Sequence, residues 1–183
     1  MPTRHPPAQN TWLPEPLPFV IPTLVTISSA LGNDASALAG DKRVKSKLSK
    51  KWLTSLCRCM NVYPQGNLQE VMATVMALRT AGVDILAGTD VSEPIPSLDG
   101  LAHGASLHRE LQLLVFAGLT PLEALRAATS TPARRFGLTD RGRIATGLRA
   151  DLLLVDGDPT KTISDTLSVR MVWRGGVCLR KSQ

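Results

Sequence analysis

A chain of 183 residues, 43% hydrophobic and 20% charged, can bury one ordinary core and is not composed like a disordered or fibrous protein. No apolar run approaches the roughly 20 residues of a membrane span, and the N-terminus has prolines where a signal peptide needs an apolar core, so a cytoplasmic protein with no membrane contact is expected. The net charge of +6 is local: Lys42, Arg43, Lys45, Lys47, Lys50, Lys51 and Arg58 against Asp41 supply all of it, and with Trp52 the only aromatic nearby they read as a solvated helix face with no nucleic-acid partner.

Residues 1–18 are proline-rich and unpatterned, and are expected to form a disordered arm. Phe19 to Ile27 is a β-branched apolar run that reads as a buried strand, with Pro22 placing it at a strand end or edge. A helix carrying the basic face is predicted over 38–60. A second is predicted over 68–80, where Val71, Val75 and Leu78 recur at near-helical spacing, before Gly82 stops it. Val83 to Ala87 then reads as a strand buried on both faces, closing in Gly88-Thr89-Asp90. A helix over 101–117 follows, stopped at Gly118. Thr120, Pro121 and Glu123 spell a capping box with proline at the first helical position of the next. From Gly137 the pattern changes to short apolar runs, Asp151 to Val155 and Val169 to Trp173, punctuated by glycines, as in strands joined by turns. The expected class is α/β, with a βα part over 19–136 and a small β part over 137–183.

Asp90 stands out among candidate chemical groups. A carboxylate at the C-terminal end of a buried parallel strand lies where α/β barrels and open sheets place their active sites, and it can bind a metal or move a proton. The alternative is that it caps the following loop. His103 and His108 are five apart, about 140° around a helix, so they are not expected to share one ion; each reads as a single pocket histidine or a surface one. His5 sits in the proline-rich arm and is expected to be idle. Cys57, Cys59 and Cys178 form neither a zinc ribbon nor a redox motif and are expected to be reduced. There is no nucleophile elbow, phosphate loop or dinucleotide fingerprint.

The runs AGVDILAGTD, GASLHRELQLLVFAGLTPLEALRAATSTPARRFGLTDRGRIATGLRADLLLVDGDP and VRMVWRGG resemble, in that order, the C-terminal part of the amidohydrolase superfamily, in its imidazolonepropionase-like and Xaa-Pro-dipeptidase-like branch. The earlier VIPTLV is similar to the seventh barrel strand of that family. The resemblance implies a partial (β/α)8 barrel, its last two βα units, followed by half of a small β-sandwich. It implies a hydrolase of C–N bonds in a small amide-like substrate, such as a dipeptide or a cyclic amide, acting through a divalent metal, usually zinc. By the same resemblance Asp90 is the catalytic, metal-contacting carboxylate after the eighth strand, and His108 lines the substrate pocket.

The family's HxH pair, its metal-bridging residue and its mid-barrel histidines have no counterpart here, and a complete barrel takes about 250 residues. Catalytic zinc usually needs about three protein ligands, so this chain alone is expected to hold none and to be inactive. The partners that follow are the missing N-terminal half or a second copy. Two other readings compete: a non-catalytic module that completes another chain's barrel, and a nucleic-acid binder using the basic residues of 42–58.

Overall fold

The computed structural model describes residues 18–91 and 99–179. The proline-rich arm, with His5, lies outside them save for Pro18. The architecture is mixed α/β. A parallel pair of short strands, β1 (Phe19–Val20) and β2 (Asp84–Ile85), is joined by five helices, and a three-stranded antiparallel sheet closes the chain. In the pair Phe19 lies opposite Asp84 and Val20 opposite Ile85, and Leu86 N–H extends the ladder to the Val20 carbonyl at 2.9 Å.

The strand expected over 19–27 is cut short. Proline at 22 offers no N–H to a ladder, Thr23 turns left-handed at φ 47°, and helix α1 (Leu24–Ala30) starts at once. A short β-branched apolar run does not distinguish a strand from a buried helix, and Leu24 and Val25 are buried either way. The single helix expected over 38–60 is three: α2 (Ser36–Gly40), α3 (Lys42–Lys45) and α4 (Lys50–Leu56). The breaks fall where side chains can start a new helix. Asp41 accepts from Arg43 N–H at 2.8 Å, and Ser49 accepts from Trp52 N–H.

Helix α5 (Leu68–Thr80) is as expected, capped by the Asn67 side chain and burying Met72 and Val75. Helix α6 (Ala105–Ala117) begins four residues later than the pattern suggests. Helix α7 (Pro121–Ala127) carries the complete capping box on Thr120 and Glu123, and α8 (Ser130–Arg135) follows as a separate turn. The main core lies between α1, α5, α6, α7 and β2, built on Leu24, Met72, Ile85, Leu111, Leu114 and Ala124. A smaller cluster packs α2, α3 and α4 against Ala102, Ala105 and Leu167. The final sheet has β4 (Val169–Arg174) at its centre, between β3 (Leu152–Val155) and β5 (Val177–Leu179).

Candidate functional site

The tip of β2 is shaped by small residues and one hydroxyl. A Cβ at Gly88 would come within 2.4 Å of Ile21 Cγ2, so glycine is what allows the end of β1 to approach. Ala87 N–H donates to the Ala127 carbonyl at 2.8 Å, and the Thr26 hydroxyl of α1 donates to the Thr89 carbonyl, so the backbone is held on both sides up to residue 89. Asp90 follows with φ 52°, a left-handed conformation that aspartate tolerates better than most residues. Its side chain is exposed. The amide of Val91 goes to the Thr89 hydroxyl, at 3.4 Å. Among the described residues, then, Thr89 takes the loop amide, and the Asp90 carboxylate is presented unpaired beyond the strand end.

Nine residues past the start of the next described stretch, at residue 99, His108 lies in a different place. It lies in a cleft of about 520 Å³ lined by Arg43, Ser46, Lys47, His103 and Leu167 among others, and Asp90 does not line it. The Thr166 hydroxyl spends its proton on the Ile163 carbonyl at 2.8 Å, so it can only accept from His108 Nδ1 at 3.0 Å. That fixes the proton of neutral His108 on Nδ1 and leaves Nε2 as an acceptor. Burial first, and then the charges of Lys47 and Arg43, hold its pKa below the ordinary histidine value. His103 is not on the helix expected for it: α6 starts only at Ala105, so His103 sits in the turn before it and both histidines line the same cleft.

Glu110 is the buried charge that the sequence pattern left without a role. It is 0% exposed on α6, and its Oε2 accepts from Val25 N–H at 2.8 Å. Helix α1 has no side-chain cap of its own, so Glu110 caps it from another helix. Its Oε1 has no partner among the described residues. Burial pushes the carboxyl up to about 7, while the Val25 and Leu24 amides pull it down. The available signal was an acid on the apolar stripe of α6, in line with Ser106, Leu113 and Leu114.

The model of the amidohydrolase family matches residues 19–179. The chain belongs to the amidohydrolase family. An adenine deaminase of Gluconobacter oxydans (strain 621H) is 31% identical over 144 residues, covering 78% of this chain and 23% of that protein. An imidazolonepropionase of Cereibacter sphaeroides (strain ATCC 17029 / ATH 2.4.9) is 39% identical over 98 residues, 53% of this chain and 24% of that one. Among solved structures, an amidohydrolase superposes with a TM-score of 0.54 at 26% identity over 88% of this chain and 34% of its own. A Xaa-Pro dipeptidase with bound methionine reaches 0.60 at 23% identity over 89% and 34%, a likeness of fold. The chain thus spans about a quarter of each of these two curated relatives and about a third of each of these two solved chains.

A divalent metal is what the resemblance to this family implies, and the described residues do not by themselves fit one. Among them no group of three or more His, Cys, Asp or Glu could hold an ion. Asp90 stands alone, and the two histidines share their cleft with Arg43 and Lys47, whose charges oppose a cation. Among the described residues no helix is long and apolar enough to cross a membrane.

Proposed function

We propose that these residues form the last two βα units of an amidohydrolase barrel and half of its small β-sandwich, and that they contribute one carboxylate to a metal site whose other ligands lie outside this sequence. The observation that carries this is the exposed Asp90, unpaired among the described residues, five residues beyond the end of β2 in a parallel pair, behind a glycine that lets the neighbouring strand close in. In this reading 19–136 is the barrel part and 137–183 the sandwich part. Asp90 contacts the metal, zinc by the resemblance, and serves as the proton-handling group. His108 is carried over as a substrate-pocket residue by the resemblance alone, since the cleft it lines does not include Asp90. The reaction is hydrolysis of a C–N bond in a small amide-like molecule, in the cytoplasm, with neither membrane nor nucleic acid as a partner, and the chain alone does not catalyse it.

Zinc content and oligomeric mass, measured together, test this. The purified chain should carry far less than about one zinc per chain. Co-expressed with a barrel segment of a relative that bears an HxH pair, it should form a complex holding about one, and Asp90→Asn should lower that content. Near-stoichiometric zinc on the monomeric chain, unchanged by Asp90→Asn, would falsify the proposal. A second reading, a non-catalytic module that completes another chain's barrel, is favoured by the edges of the β1–β2 pair, which no other described strand covers, beside exposed Phe19 and Ile21. It predicts the same complex but no dependence of metal content on Asp90.

A further inference from the structure

The structure points to a second binding site: we propose that the cleft between α8 and the loop 138–143 binds a compact phosphate-class anion, either inorganic phosphate or the phosphoryl group of a small phosphate monoester. The cleft encloses about 520 Å³, and its polar lining is Arg126, Ser130, Arg134, Arg141 and Arg143 with the threonines at 131 and 139; among the described residues no acid lines it. Two of the four guanidiniums already have carboxylates behind them: Arg134 pairs with Asp84 and Arg141 with Asp140, each at 2.8 Å. Arg126 and Arg143 have no such partner among the described residues, so two planar forks face the cleft uncompensated.

The walls are built to stay close. Gly142 has φ 89°, and a Cβ there would lie 2.4 Å from Ala133 Cβ and 3.0 Å from the Thr129 carbonyl. Only glycine lets the loop lie against α8 at this point, and Arg141 and Arg143 flank it on the cleft wall opposite Arg126 and Arg134. Four guanidiniums and three hydroxyls present more donors than the two oxygens of a carboxylate can use, whereas a phosphoryl group with three oxygens can engage them. A nucleic-acid strand is disfavoured because no aromatic side chain among the described residues lines the cleft to stack a base. The inference rests on neither Asp90 nor a metal.

Calorimetric titration of the full chain at low ionic strength, with inorganic phosphate and with phenyl phosphate, decides it. The wild-type chain should bind at least one of them saturably. The double substitution Arg126→Gln with Arg143→Gln should weaken binding about tenfold or more. Lys50→Gln with Lys51→Gln, which removes two charges from α4, should change it less than about twofold. Gly142→Ala should weaken binding with all four arginines kept. Tighter binding of phenyl phosphate assigns the site to a phosphorylated small molecule, tighter binding of phosphate to the free anion, and both uphold it. No binding, equal loss in both double variants, an unchanged Gly142→Ala, or a short single-stranded oligonucleotide that outcompetes both probes would overturn it.

Discussion

Glu110 joins two helices through one oxygen and leaves the other without a partner, and this makes it sensitive to pH. Its carboxyl titrates at about 7 in the folded chain instead of near 4.5, because burial disfavours the charge more than the α1 amides favour it. The folded state therefore holds this proton where the unfolded chain has lost it. Glu110 contributes its stabilisation fully below about pH 4.5 and loses it as pH rises through about 7, by about 3 kcal/mol at most. Urea denaturation of the wild type and of Glu110→Gln, at intervals from pH 4.5 to 8, should show a difference that grows in favour of the glutamine variant with rising pH. The glutamine carbonyl still accepts from Val25. A constant difference across that range would remove Glu110 from the account. Asp90 is the opposite case, an exposed carboxylate whose strand-tip position and not its burial marks it.

Among the elements, α7 shows how local chemistry can specify a helix completely. Thr120 N–H donates to Glu123 Oε2 at 2.8 Å, the Thr120 hydroxyl accepts from Glu123 N–H, and Pro121 occupies the first turn, where its missing N–H costs nothing. Arg79 of α5 then pairs with Glu123, chiefly accounting for its pKa of about 2 and tying α7 to the helix that packs beside β2. Thr120→Ala should cost about 1 kcal/mol in thermal unfolding while Thr120→Ser costs little, and equal losses would mean that the hydroxyl is not the cap. Where caps and glycine stops are written locally, as in α5 and α7, the sequence pattern and the structure agree. They part where the deciding contact is remote. Helix α1 begins at Leu24 because Glu110, 85 residues away from Val25, satisfies its amides, and no window around Phe19 to Ile27 contains that information. The same holds for His103: its cleft exists because α3 and Leu167 pack against the start of α6. The exposed place of Asp90 beyond an apolar run, though not the role proposed for it, was legible in the sequence. The arginines around Gly142 were not, because they are brought together by a loop folding back on a helix.

For the molecule as a whole, exposed apolar surface is the property that most constrains its behaviour. Both faces of the antiparallel sheet carry exposed apolar side chains. Leu154 and Met171 are cross-strand partners, 48% and 42% exposed, while Leu153 and Leu179 project from the opposite face, 52% and 51% exposed. Phe19 also packs edge-on to Phe136 at 5.5 Å, with Phe136 itself more than half exposed. Burying such patches is worth about 25 cal/mol per Å², so a chain that presents them should associate with itself or with a complementary surface. Its charge opposes this only in part, because the excess of +6 is concentrated in 41–58 and not on the exposed apolar residues of the strands. Light scattering across a concentration series should therefore give a mass that climbs above the 19.6 kDa of one chain. Leu154→Lys combined with Met171→Lys places two charges side by side on one face, and should return the mass toward the monomer with the far-ultraviolet circular dichroism unchanged, since neither residue is part of a buried cluster. If the wild type stays monomeric throughout, the sheet is self-sufficient despite its exposed leucines. If the lysine variant associates as strongly as the wild type, the contact lies on the opposite face of the sheet or at the open edges of β1 and β2, and Leu153→Lys and Phe19→Lys separate those two surfaces.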